Sequence, residues 1–188
     1  MFCRPSLNAG PAFSSMEKPE SQRIRFELYG PADKDAFTAL VTDERVMKYV
    51  GDGRLSHNEA VALWKKLTEV LYPDGKMTIW ALFSKDDGRY LGHASIRPRP
   101  DFPEEWEIGY ILKSREWGKG FATEAAKTLV DFGFDRLGLE EVFATVDDDH
   151  ESSIRVLTKA GLKFARYDHD ESGRYSVYST SARSPDRR

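Results

Sequence analysis

The chain has 188 residues, 40% of them hydrophobic and 31% charged, with a formal net charge of −3. That length supports one domain with a real core and falls short of two ordinary ones. A slightly acidic balance without a basic block argues against nucleic acid as a direct partner, and a single cysteine, Cys3, excludes an internal disulfide framework. The four histidines, His57, His93, His150 and His169, lack metal-ligand spacing, so no metal is expected. No apolar run approaches the roughly 20 residues that span a bilayer, and no apolar signal segment opens the chain. A cytoplasmic protein with no membrane partner is the expectation.

In chain order, residues 1–22 read as a flexible tail, with Met16 a candidate start. Arg23–Tyr29 alternates Ile24, Phe26 and Leu28 with polar positions, a half-buried strand ended by Gly30-Pro31. Asp33 opens a helix with Ala36, Phe37, Leu40 and Val41 on one face, and Asp43 caps a further turn through Val46, Met47 and Tyr49. After Gly51-Asp52-Gly53, Ser56-His57-Asn58-Glu59 has the form of a capping box. Its helix should reach Tyr72, with Ala60, Leu63, Trp64, Leu67 and Leu71 as the buried stripe.

Met77–Ser84 and Arg89–Arg97 flank Asp86-Asp87-Gly88, a hairpin signal, and a proline-rich loop follows. Glu105–Leu112 is the next strand, with Gly109 marking a bulge or a close backbone approach. A long helix over Lys119–Arg136, a buried strand Val142–Val146 and a short helix Ser152–Ala160 come next. Lys163–Asp168 and Arg174–Thr180 form a last hairpin, and residues 181–188 are a polar tail. The order predicts a single α+β domain over residues 23–180.

Arg115-Glu116-Trp117-Gly118-Lys119-Gly120-Phe121-Ala122 sits between a strand and a helix. There the glycines let a ligand approach the main chain, and the N–H groups of a helix start attract phosphate. Arg115 and Lys119 add positive charge. A Walker loop would need Ser or Thr after Gly118-Lys119, where Gly120 stands; a dinucleotide fingerprint would need a glycine at Thr123 and repeated βαβ units. The loop therefore reads as a phosphate site of neither of those two kinds.

With that loop, Trp106-Glu107-Ile108-Gly109-Tyr110-Ile111-Leu112 and Ser153-Ile154-Arg155-Val156-Leu157-Thr158-Lys159-Ala160-Gly161-Leu162 resemble the GNAT N-acetyltransferase superfamily, and within it the Rim-type ribosomal-protein acetyltransferases. The resemblance covers roughly Arg23 to Thr180. It implies a mixed, twisted sheet of about seven strands flanked by helices, with the fourth and fifth strands splayed to admit acetyl-CoA. It also implies main-chain contacts from Ile111 and Leu112 to the pantetheine arm and a pyrophosphate cradle over Arg115, Trp117, Gly118, Lys119, Gly120, Phe121 and Ala122. His150, where the family often has Asn, and Ser153 are further contacts.

The reaction so implied is transfer of an acetyl group to a primary amine of a small molecule or peptide, by a monomer or homodimer. Glu107 is the candidate base; Glu105 alternates with it on one strand face, to share its site or stay solvated, and Asp101 and Glu104 are candidates for an acceptor pocket. Many relatives place an acidic Tyr where Leu157 stands, which leaves the proton donor to water or Ser153. A non-catalytic acyl-CoA-binding module of the same fold is the alternative.

Overall fold

The computed structural model describes residues 17–51, 53–74, 78–171 and 173–182. Cys3, a start at Met16, Asp52, Gly75, Met77, Ser172 and the outer parts of both tails lie outside the described residues. Of the expected amino-terminal tail, the described end is fastened. Lys18 pairs with Glu27, and the Ser21 hydroxyl donates to Glu124 at 2.5 Å.

Strand β1 (Ile24–Leu28) buries Ile24 and Phe26, while Leu28 at its end is exposed. Helix α1 (Lys34–Val41) turns Phe37, Leu40 and Val41 inward. The short α2 (Glu44–Met47) begins where Asp43 Oδ1 accepts from the Arg45 and Val46 amides at 2.9 and 3.3 Å. This cap satisfies donors that a helix start otherwise leaves unpaired.

The expected capping box opens α3 (His57–Lys65): Glu59 N donates to Ser56 Oγ at 3.3 Å, and Ser56 N donates to Glu59 at 2.7 Å. The helix continues as a π-helical stretch over Lys66–Leu71 and a final turn, α4 (Tyr72–Asp74). Ala60, Trp64 and Leu67 are buried as expected, but Leu63 is exposed.

Strands β2 (Thr78–Ser84), β3 (Tyr90–Pro98) and β4 (Trp106–Leu112) form an antiparallel meander. Gly109 carries no bulge; it pairs with Ser95 in regular register. The close backbone approach falls at Gly92 instead. There φ is +149° and a Cβ would lie 2.0 Å from the Ile111 carbonyl oxygen. The hairpin's register shift, between Leu82 and Phe83, faces this glycine across the strands.

Helix α5 (Phe121–Asp135), strand β5 (Glu141–Val146), helix α6 (Glu151–Lys159) and the hairpin β6 (Lys163–Asp170) to β7 (Gly173–Ser181) complete the chain. Among the described residues the sheet has seven strands in the order β1-β2-β3-β4-β5-β7-β6. All neighbours are antiparallel except β4 and β5.

Each face of the sheet has its own core. Trp80, Ile96, Ile108, Leu129, Phe132 and Leu157 pack beneath α5 and α6. Tyr29, Phe37, Leu40, Trp64, Leu67 and Ala81 pack beneath α1 and α3. Each fully buried large apolar side chain contributes about 1.5–3 kcal/mol. The two cores therefore hold helices against both faces and leave the gap between β4 and β5 as the place where the sheet can open. No helix among the described residues is long and apolar enough to cross a membrane.

Candidate active site

β4 and β5 run parallel but share a single register pair, Glu107 with Phe143. Past that pair they part, and the carboxyl-terminal half of β4 opens onto a cavity of about 500 Å³. Tyr110, Ile111 and Leu112 supply one side of it, and Trp117, Gly118, Gly120, Ala122 and Thr123 another. The remaining walls come from α6 with its approach (His150, Ser153) and from α2 with its exit (Arg45, Lys48, Tyr49).

The loop before α5 owes its path to two glycines. Gly118 and Gly120 have φ of +74° and +83°, the left-handed region that side chains disfavour. A Cβ at Gly118 would meet nothing within 4 Å. Gly120 is the N-cap of α5, so the first amides of a 15-residue helix start beside the cavity. Such amides lack carbonyl partners within the helix and suit an anionic oxygen.

The loop is locked from beneath. Glu116 is 2% exposed and accepts from Arg89 at 3.3 Å and from Lys119 at 3.1 Å, with Arg115 Nε also 3.3 Å away. Burial alone would raise the Glu116 carboxyl, but the hydrogen bonds from Arg89 and Lys119 outweigh it and hold it below its ordinary range. Trp117 Nε1 donates to the Leu112 carbonyl at 2.9 Å, tying the loop to the end of β4. Arg23 lies over the Phe121 ring at 4.6 Å and donates to the Lys119 carbonyl at 3.1 Å.

Eight of the expected site residues line one cavity: Ile111, Leu112, Trp117, Gly118, Gly120, Ala122, His150 and Ser153. Arg115, Lys119, Phe121 and Glu107 do not. Arg115 and Lys119 are ion-paired with Glu116, and Phe121 is buried in the core. Glu107 stands at the vertex where β4 and β5 part. Its carboxylate is paired with Arg97 at 2.8 Å and accepts from Thr145 at 3.4 Å.

Asp101, Glu104 and Glu105 are also absent from the wall. Glu105 is bound by Arg99 and Arg166, which also hold Asp168, so this cluster clasps the β3–β4 loop to β6. His93 faces Tyr29 and Phe37 rather than the cavity, and burial lowers its imidazole to about 4.

Two groups escaped the sequence reading. Tyr110 shares a 2.8 Å hydrogen bond with the Ser153 hydroxyl, and burial pushes its phenol up to about 12. It lies within β4, but only the opening of the sheet exposes it to a cavity. Leu157, by contrast, is 1% exposed and belongs to the core. Tyr49 stacks on His150 with centroids 4.1 Å apart and planes at 13°, bridging α2 to α6. Among the described residues no three His, Cys, Asp or Glu side chains are grouped as metal ligands.

An open mixed sheet, a strand gap and a glycine loop at a helix start together form one cavity whose loop end suits an anionic ligand. A sequence model of the acetyltransferase (GNAT) domain matches residues 23–163, and the chain belongs to that family. It is similar to the uncharacterized N-acetyltransferase YoaA of Bacillus subtilis, 26% identical over 144 residues, covering 77% of this chain and 81% of the relative.

Its fold matches that of a GNAT-family acetyltransferase from Bacillus anthracis with a TM-score of 0.74 and 21% identity, over 86% of this chain and 96% of that one. It also matches a spermidine N-acetyltransferase from Vibrio cholerae solved with CoA and spermine. There the TM-score is 0.71 at 14% identity, over 85% and 95% of the two chains. The chain is an N-acetyltransferase that uses acetyl-CoA as its acetyl donor.

Proposed function

We propose that the chain acetylates a primary amine, on a small molecule or a peptide amino terminus, by direct attack on the thioester. The observation that carries this reading is the shared cavity. It joins the glycine loop, which suits the pyrophosphate, to the open edge of β4, where Ile111 and Leu112 can hold the pantetheine arm by main-chain contacts. The Vibrio cholerae relative takes a polyamine, which supports an amine acceptor without naming this one.

The amine nitrogen bonds to the acetyl carbon, the carbon–sulfur bond breaks, the amine gives up a proton and the sulfur gains one. An alkyl amine is mostly protonated near neutral pH and must lose a proton to attack. Glu107 is the proposed base, acting through water from the vertex of the gap. Tyr110 is the proposed donor to sulfur, because its phenol keeps its proton at neutral pH and lies in the cavity wall against Ser153.

Thiol release from acetyl-CoA over a panel of amines and peptides tests the reading. Tight CoA binding without turnover on any amine would instead favour a non-catalytic CoA-binding module. Tyr110→Phe and Glu107→Gln should each lower kcat by about a hundredfold while the KM for acetyl-CoA holds. An unchanged kcat removes the residue from the mechanism.

A further inference from the structure

The cavity wall is one-sided in charge. Arg45 and Lys48 stand on α2 and at its exit, Arg155, paired with Glu151 at 3.0 Å, and Lys159 stand on α6, and among the described residues no Asp or Glu lines it. Carboxylates near the vertex of the gap are already engaged. Glu107 is paired with Arg97, while Glu105 and Asp168 are held by Arg99 and Arg166. Asp148, on the approach to α6, is taken by Arg174 and Ser176. Asp149 is close enough to act on Lys48 and His150 but lies outside the wall.

The two pairs of cations differ in position. Arg155 and Lys159 are on the helix that packs against α5, whose amino terminus carries the glycine loop. Arg45 and Lys48 face the cavity from α2, which packs on α1. Among the described residues no carboxylate is ion-paired with Arg45, and Lys48 Nζ donates to the Tyr49 hydroxyl at 2.9 Å. The Tyr49 ring in turn stacks on His150, so the α2 wall is held against the far side of the cavity with its cations presented.

A polyamine would bring two or more positive charges to this wall, where Glu151 offsets Arg155 and Asp149 acts on Lys48 but, among the described residues, no carboxylate is ion-paired with Arg45, so like charges repel there. We propose that Arg45 and Lys48 form an anion subsite for the acceptor, so that the preferred substrate is an amine that also carries a carboxylate or phosphate group. The inference rests on the amine-acetylation reading given above and narrows its substrate class.

The test measures acetyl-CoA turnover on O-phosphoethanolamine against ethanolamine, on β-alanine against β-alaninamide, and on spermidine. At least one anionic member should exceed its neutral partner by about tenfold in kcat/KM, the size of one charge-assisted contact, and spermidine should be the poorest acceptor. Arg45→Glu/Lys48→Glu should cancel that preference and raise spermidine relative to the anionic amines. This gain cannot come from misfolding.

Turnover with no preference in either pair, or a wild-type preference for spermidine, overturns the inference while leaving amine acetylation intact. A raised KM for acetyl-CoA with the amine ratios unmoved also overturns it, because the cations would then serve the phosphates of CoA. Absence of turnover on all five amines counts against amine acetylation itself, and against this subsite with it.

Discussion

The two ends of the cavity are built in opposite ways. At the loop end, Trp117, Gly118, Gly120, Ala122 and Thr123 meet the ligand space from one short segment, and its two glycines can offer only backbone. At the other end, the walls are side chains brought from α2, β4 and α6, held by contacts such as Tyr110 to Ser153 and Tyr49 to His150. The backbone end depends on conformation, so single substitutions there should act strongly and on the cosubstrate alone. The side-chain end depends on packing between distant segments, so changes there should alter acceptor choice and proton transfer before they alter CoA affinity.

The sharpest way to break this comparison is Gly120→Trp. A side chain at φ +83° is strained, its Cβ would lie 3.3 Å from the Arg23 guanidinium, and the ring would obstruct the amides of the helix start. CoA affinity should fall about a hundredfold or more, from the cost of the left-handed conformation and the lost contacts together. Calorimetric titration with CoA measures it, and an unchanged affinity would falsify the cradle.

Glu116→Gln is the next step down. It leaves Arg89, Arg115 and Lys119 without their buried carboxylate, so the loss should be about 1–3 kcal/mol of stability. CoA binding should weaken with it, because the loop is no longer held from beneath. Chemical denaturation read alongside CoA titration checks both. Full CoA affinity in a destabilised variant would show that the lock serves folding alone.

The smallest expected effect is on acid stability. Glu116 has its carboxyl depressed in the folded state, so its contribution is present above the ordinary Glu value near about 4.3 and is lost as pH falls below it. His93 is lowered to about 4 by burial. Above its ordinary value of about 6.5 it is neutral in both states and contributes nothing. As pH falls from there toward 4 the unfolded chain takes up the proton first, and stability declines. His93→Gln should flatten the stability profile between about pH 6.5 and 4, whereas Glu116→Gln should flatten it only below about pH 4.3. Denaturation midpoints across pH 3–8 separate the two.

How much of this was legible beforehand follows the same division. The capping box at Ser56, the hairpin at Asp86-Asp87-Gly88 and the glycine turn at Gly118 and Gly120 are local, and their residues announce themselves by short spacing. The buried lock is different. Nothing beside Glu116 in the chain marks it, because its partner Arg89 is 27 positions away. Gly109 carried an expectation that belongs to Gly92, because only the pairing of β3 with β4 brings the Ile111 carbonyl against that glycine.

By itself the sequence determined the order of elements, the glycine loop at the start of α5 and, through resemblance, the family. These rest on backbone conformation and on periodicities a few residues long. Tertiary structure alone decided that the loop cations Arg115 and Lys119 are ion-paired with Glu116, that Tyr110 rather than Leu157 reaches the cavity, and that Arg45 and Lys48 face it from α2. The physical reason is the same in each case. A side chain's role is set by its partners, and here the deciding partners lie in other elements of the sheet and its helices.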